Sequence, residues 1–359
     1  MPVELLGKSA EEMREFFASL GEPAYRGAQM YRALYVERRF DFAAMTNVPV
    51  ALRERLAEEA RITLPRVTRR FASVDGSIRY LLSIGGPSID GDSEKPAQIE
   101  AVYMPKEGRQ TICISTQAGC AVDCHFCLTA QLGLIRNLTA GEIVGQVLVA
   151  LEENREKLTP QTNVVLMGQG EPMLNYDATM AAVRIMLDPK GVALAPRHVT
   201  LSTSGIVPGI ERLGLEKIRP NLAISLNAST DEQRDALMPI NRKYPLEKLL
   251  DACRNYPLRP REHFTIEYVL LGGVNDSPED ARRVVRLLAH IRAKVNLIPW
   301  NPGNLPYRAP TGESIEEFKT ILLQKGVPAF VRYSRGQDVF AACGQLALIE
   351  TGSSLTTLQ

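Results

Sequence analysis

The chain has 359 residues, 42 Lys plus Arg against 41 Asp plus Glu, a net charge of +1 and an apolar fraction of 45%. At roughly 150 residues per domain that is length for about two domains with a sizeable core, and it excludes disorder as the main theme. Net charge decides nothing about nucleic acid, because a basic groove can hide in a balanced total. The longest nearly apolar run, Ile143 to Leu151, contains Gln146 and falls far short of the roughly 20 residues a membrane span needs. The first residues, MPVELLGKSAEEMREFF, have no basic start followed by an apolar stretch, so a secretory signal is not expected. A cytoplasmic, reducing location follows as the expectation, in which cysteines serve more often as ligands or catalysts than as bridges.

In chain order, residues 1–70 read as a helical accessory block. Apolar residues recur at three-and-four spacing over Ala10–Leu20, Tyr25–Val36 and Pro49–Ala60. Residues 71–105 change period. Ile78–Ile84 and Ile99–Met104 are short, β-branched and aromatic, and the polar stretch GGPSIDGDSEKPAQ lies between them, which predicts a β-hairpin with a long loop. Over residues 106–335 strand-like runs at Thr111–Ser115, Asn163–Met167, His198–Ser202, Leu222–Leu226, Phe264–Leu271 and Val295–Pro299 alternate with amphipathic stretches. Strand–helix units in series predict an α/β fold with a parallel sheet, most simply a partial (β/α)6 TIM-like barrel. Residues 336–359 form a C-terminal segment. In such sheets the ligand site lies at the C-terminal ends of the strands.

At the first of those ends stands Cys120-Ala-Val-Asp-Cys124-His-Phe-Cys127. Thiolates so spaced in a loop converge on one metal centre, and three of them leave a tetrahedral zinc or a four-iron cluster one ligand short. Zinc needs a fourth ligand, and His125 is wedged between two of the cysteines. A four-iron cluster can leave one iron open to an exogenous ligand. The second strand ends in Met167-Gly-Gln-Gly170-Glu171-Pro172, the third in Ser202-Thr203-Ser204-Gly205, the fourth in Ser225-Leu226-Asn227 and the sixth in Pro299-Trp300-Asn301-Pro302. These place a carboxylate, hydroxyls and amides on one rim. Cys113 lies in the first strand, Cys343 precedes a glycine near the C-terminus, and Cys253 reads as a core residue of a helix.

Cys-x3-Cys-x2-Cys with an aromatic residue before the last cysteine resembles the signature of the radical S-adenosylmethionine enzymes. Further segments extend the likeness along the chain: GAQMYRALY, DFAAMTNVP, IEAVYMP, CISTQAGCAVDCHFCLTAQLGLIRNLTAGEIVGQV, VVLMGQGEPMLNYD, VTLSTSGIVPGI, LAISLNAS, NLIPWNP and RGQDVFAACGQLA. Together they resemble the bacterial adenosine-C2 methyl synthase branch of that superfamily, which modifies large-subunit ribosomal RNA and transfer RNA. The resemblance implies a barrel of the radical S-adenosylmethionine type, one [4Fe–4S] cluster on Cys120, Cys124 and Cys127, and two S-adenosylmethionine molecules per turnover. It places Gly170, Glu171, Ser202, Ser225, Leu226, Asn227 and Asn301 around that cofactor. It makes Cys343 the methyl-carrying thiol, Cys113 the resolving thiol of a transient disulfide, and Glu100 the base for the C2 proton.

As partners the resemblance implies 23S ribosomal RNA, naked or in a precursor, and transfer RNA. It further implies an external one-electron donor such as flavodoxin, no membrane, and a monomer. Arg26, Arg32, Arg66, Arg69, Arg70, Arg332 and Arg335 are the candidate phosphate contacts, a solvated surface being the plain alternative. Asn227 stands where histidine is expected in many relatives, and the stretch from Gly85 to Gln98 is longer than expected. Two rivals share parts of the pattern: the same chemistry at adenine C8, and a noncatalytic RNA-binding protein with structural zinc.

Overall fold

The computed structural model describes residues 2–85 and 96–348. Most of the long Gly85–Gln98 stretch and the last eleven residues of the C-terminal segment therefore lie outside the described residues. Ser9 caps α1 (Ala10–Ser19) in a reciprocal box with Glu12, and α2 (Ala24–Tyr35) and α3 (Val50–Glu59) follow. Met13, Phe17, Met30, Leu34 and Leu56 are buried on the faces that the spacing marked. Val3–Glu4 pairs in parallel with Ala60–Arg61 and closes the block. Tyr31 Oη donates to Asp188 at 2.9 Å, which ties α2 to the sheet domain.

The helical reading of residues 1–70 ends too late. Arg66–Ala72 is a strand, β1, on which only Val67 and Phe71 are half-buried. The intervening arginines hide its alternation, and on an edge strand they also discourage further pairing. From β1 a ten-stranded sheet follows chain order throughout. Its members are β2 (Ile78–Ile84), β3 (Ala97–Lys106), β4 (Arg109–Cys113), β5 (Gln161–Leu166), β6 (Val199–Thr203), β7 (Asn221–Ser225), β8 (Phe264–Leu270), β9 (Ala293–Pro299) and β10 (Ala329–Val331). β1 to β4 are antiparallel and include the expected hairpin, with Ile84 opposite Ala97. β4 to β10 are parallel. The six expected barrel strands are all present; β10 extends them, three residues being too few to show a period.

The helices α4 (Ala140–Glu153), α5 (Tyr176–Leu187), α6 (Val207–Gly214), α7 (Asp231–Leu237), α8 (Leu246–Asn255), α9 (Pro278–Leu287) and α10 (Gly312–Gln324) return the chain between the parallel strands and after β4. α4 starts at a Thr139–Glu142 capping box, and Arg136 clamps Glu142 with both terminal nitrogens. Gln146, the residue that interrupts its apolar run, has a buried task. Its Nε2 donates to the Ser115 carbonyl at 2.9 Å and its Oε1 accepts the Ser115 N–H at 2.8 Å, locking α4 to the end of β4. No helix among the described residues is long and apolar enough to cross a membrane.

Candidate functional site

The cysteine loop leaves the sheet through a short antiparallel pair, Gln117–Gly119 with Leu134–Asn137. Cys120 N–H donates to the Gly133 carbonyl at 2.8 Å and Cys127 N–H to the Cys124 carbonyl at 3.0 Å. Cys120, Cys124 and Cys127 all line one cavity of about 180 Å³. Gly170, Glu171, Ser202, Ser225, Asn227, Asn301 and Cys343 line the same cavity; Leu226 does not. Leu226 is buried behind it, and its carbonyl accepts from Arg234. His125 is exposed and turns toward Asp123.

Each rim residue is held by its neighbours. Gly170 has φ +95°, and a Cβ there would stand 2.6 Å from the Gln117 nitrogen, so only glycine fits this turn. Glu171 accepts the Met173 N–H at 3.0 Å and the Ser204 N–H at 2.6 Å, joining the ends of β5 and β6. Burial pushes its carboxyl above the ordinary range. Asn227 accepts the Val269 N–H at 2.8 Å and donates to Met238 sulfur at 3.3 Å. Its amide braces the β7–β8 rim. Arg234, which the motif reading missed, is fully buried and donates to the carbonyls of Ser204, Ser225 and Leu226 at 2.6 to 3.2 Å. One guanidinium thereby sets two strand ends.

The C-terminal segment lies over this rim. Leu128 N–H donates to the Gly344 carbonyl at 2.8 Å, Thr129 Oγ1 to the Leu346 carbonyl at 2.6 Å, and Asn301 Nδ2 to the Cys343 carbonyl at 3.1 Å. Cys343 is accessible from the cavity, yet burial, followed by Glu267 and Cys127, pushes its thiol up to about 11. A second, larger cavity of about 560 Å³ runs below, through the barrel interior. Barrel interiors are ordinarily packed with branched apolar residues. Here Thr111, Asn163, Thr200, Thr265 and Asn296 line the space, with Arg109, Arg197, Lys294 and Arg332 also on its walls. Cys113 and Cys343 both line it, and the proximity of Cys343 adds to burial in raising the Cys113 thiol.

Glu100 is not part of either wall. It is fully buried on β3, ion-paired with the equally buried Arg79 of β2. Its other oxygen accepts the Leu348 N–H at 3.0 Å. Burial raises its carboxyl, with Arg79 opposing. Phe71 stacks 4.1 Å from the Arg79 guanidinium, and Arg79 Nε donates to the Val339 carbonyl at 2.6 Å. The pair therefore clasps the C-terminal segment. Cys253 lies in the core as its helical position predicts. Of the candidate arginines, Arg70 pairs with Glu153 and Arg335 with Asp75. Glu267, on the inward face of β8, lines both cavities; it too escaped the motif reading.

The residues present fit an iron–sulfur cluster with an amino-acid-bearing ligand. Burial raises all three loop thiols, and mutual charge adds to this for Cys120 and Cys124, a cost that a cationic centre removes. Ser204 Oγ is buried at the cavity without a hydrogen-bond partner, as a site for a polar ligand group requires. Among the described residues no three His, Cys, Asp or Glu side chains close on a point as a single-ion site would.

Residues 114–287 match the family model of the radical S-adenosylmethionine superfamily, and residues 3–62 match that of the ribosomal RNA large subunit methyltransferase N-terminal domain. The "Probable dual-specificity RNA methyltransferase RlmN" of Koribacter versatilis is 50% identical, over 92% of this chain and 98% of its own length. The dual-specificity RNA methyltransferase RlmN of Anaeromyxobacter dehalogenans is 49% identical, over 94% and 90%. A crystal structure of a radical SAM methyltransferase from Sphaerobacter thermophilus superposes with a TM-score of 0.89 at 44% identity, covering 96% of this chain and 99% of that one. With about half of its residues shared over nearly the whole length, the chain belongs to the RlmN family of radical S-adenosylmethionine RNA methyltransferases.

Proposed function

We propose that the protein methylates C2 of adenosine in 23S ribosomal RNA, at the peptidyl transferase centre, and of the adenosine 3′ to the anticodon in transfer RNAs. The observation that carries the reading is the placement of two thiols, Cys113 and Cys343, on one polar cavity, with Cys343 also on the cavity lined by the three loop cysteines. Cys120, Cys124 and Cys127 hold the [4Fe–4S] cluster, and Gly170, Glu171, Ser202, Ser225, Asn227 and Asn301 surround the S-adenosylmethionine; Leu226 supports that wall from behind. The bound cluster and cofactor, two cofactor molecules per turnover, supply a methyl group and one-electron activation of a C–H bond.

The chain's own residues do the rest. Adenine C2 is electrophilic, so polar transfer of a methyl cation onto it is unfavourable and a protein-bound carbon radical is needed. Cys343 sulfur takes the methyl group, loses one hydrogen atom from it to the radical that the bound cofactor would supply, and carries the resulting methylene onto C2 as a covalent adduct, whose unpaired electron the bound cluster would take back. Glu100 receives the C2 proton once the Leu348 end of the C-terminal segment has moved off it. Cys113 then attacks the Cys343 sulfur; the S–CH2 bond breaks, the released carbon takes a proton to become the C2 methyl group, and an external reductant reopens the disulfide left behind. The helical block and the cavity arginines hold RNA phosphates, while the target base unstacks into the barrel. The protein works as a cytoplasmic monomer served by a flavodoxin-type donor.

Anaerobic turnover on unmodified ribosomal and transfer RNA, with methyl-labelled cofactor and mass spectrometry of the nucleosides, tests this. The expected product is 2-methyladenosine, lost in Cys343→Ala. A product methylated at C8 would reassign the position while keeping the mechanism. Cofactor cleavage without any methylated nucleoside would end the substrate assignment.

A further inference from the structure

Among the described residues, the two cavities share four wall residues: Met167, Glu267, Ile298 and Cys343. Two are apolar; of the four, only Glu267 and Cys343 can give or take a proton. Glu267 is buried on β8, and its Oε1 accepts Asn296 Nδ2 from β9 at 3.0 Å. That bond holds one carboxylate oxygen toward β9.

We infer that Glu267 accepts the Sγ proton of Cys343 when that thiol is methylated. The inference rests on the reading of Cys343 as the methyl carrier. As the Cys343 S–CH3 bond forms, the methyl–sulfur bond of the sulfonium donor breaks and its electron pair stays on the departing thioether. The thiol proton passes to Glu267. A positive sulfonium and a negative carboxylate become two neutral groups, a change that a desolvated site favours. Geometry is supported by electrostatics. Burial raises Glu267 to about 7, with Asn296, Arg332 and Lys294 opposing, so it is part-ionised at neutral pH and able to gain a proton. The charged groups acting on it are Lys294 of β9 and Arg332 beyond β10, with the Cys343 thiol from the C-terminal segment. Ser225 of β7 stands beside it in register and carries no charge.

The test turns on a sign. As a mere neighbouring charge, Glu267 opposes the Cys343 thiolate, so Glu267→Gln would speed alkylation of that thiol. As a proton acceptor it assists, so the same variant slows it. Iodoacetamide is added to cluster-free, full-length protein at pH 7.5, and the Cys343 peptide is followed by mass spectrometry. We expect a rate at least fivefold lower in Glu267→Gln, and in Glu267→Ala a rate that formate restores in proportion to its concentration. Faster or unchanged alkylation, or no response to formate, overturns the inference. Reconstituted enzyme with methyl-labelled cofactor separates the two layers. Loading of Cys343 should be about tenfold slower in Glu267→Gln. Equal loading in both proteins removes Glu267 alone. An unlabelled Cys343 in the unsubstituted enzyme removes the methyl-carrier reading on which it stands.

Discussion

Glu100 and Glu267 are both buried carboxylates on strands of one sheet, and they have opposite surroundings. Glu100 faces a guanidinium, a backbone N–H and the Gln169 amide, and lines neither of the two cavities. Glu267 has one amide partner and an open polar space. Burial raises both carboxyls. Partners decide what burial means: a carboxylate saturated by fixed donors works as a clasp, and one left facing a cavity can exchange a proton. The base role proposed for Glu100 would require a donor to be withdrawn, and the Leu348 N–H is the donor that the C-terminal segment supplies.

The comparison breaks most visibly at Arg79. Arg79→Met removes the counter-charge and strands Glu100 in the interior, which costs about 3–5 kcal/mol. Chemical denaturation should show that loss, and Arg79→Met with Glu100→Gln should recover much of it. A double variant as unstable as the single one would mean that Arg79 matters for its Val339 contact rather than for charge.

Glu267 predicts a pH effect. Its folded-state pKa lies near 7, above the unfolded value of about 4.3, so between those limits the native state holds the extra proton. Stability therefore falls as pH rises from about 4.3 to about 7, by at most about 4 kcal/mol. Glu267→Gln abolishes that fall and is relatively more stable above pH 7. Parallel pH profiles for the two proteins would contradict the assignment.

Much of this was legible before the fold. Buried parallel strands are near-continuous β-branched runs, so the six barrel strands stood out, as did the cysteine loop and the rim motifs that follow strand ends. Leu226 shows the limit of motif reading: it belongs to its rim motif but turns behind the wall. Glu100 shows another, because its Arg79 partner is twenty-one positions away on the opposing strand. A signal was present nonetheless. Arg79 in IRYLLSI and Glu267 in FTIEYVL are single charges inside otherwise uncharged strands, and such a charge must find either a partner or a cavity. Arg234, on a charged helix face, carried no such mark.

Asn301 tethers the other end of the C-terminal segment, donating to the Cys343 carbonyl and to Ser334 Oγ while accepting from Gln337. Asn301→Ala should cost about 1–2 kcal/mol and raise amide hydrogen exchange over residues 336–348 while leaving β3 protected. Equal loss of protection in β3 would mean that the clasp at Glu100 and the tether at Asn301 open as one unit.

The smallest effect is expected where the same chemistry meets water. Arg70 on β1 grips Glu153 of α4 with two hydrogen bonds, at 2.7 and 2.9 Å. Both side chains are solvent-accessible, at 52% and 31%, so each keeps much of its hydration when the pair is broken. Arg70→Ala should cost no more than about 1 kcal/mol, and less in high salt. Set beside Arg79→Met, it isolates burial as the variable. A loss approaching that of the buried pair would show that β1 docks on α4 through this one contact, and that the edge of the sheet depends on it.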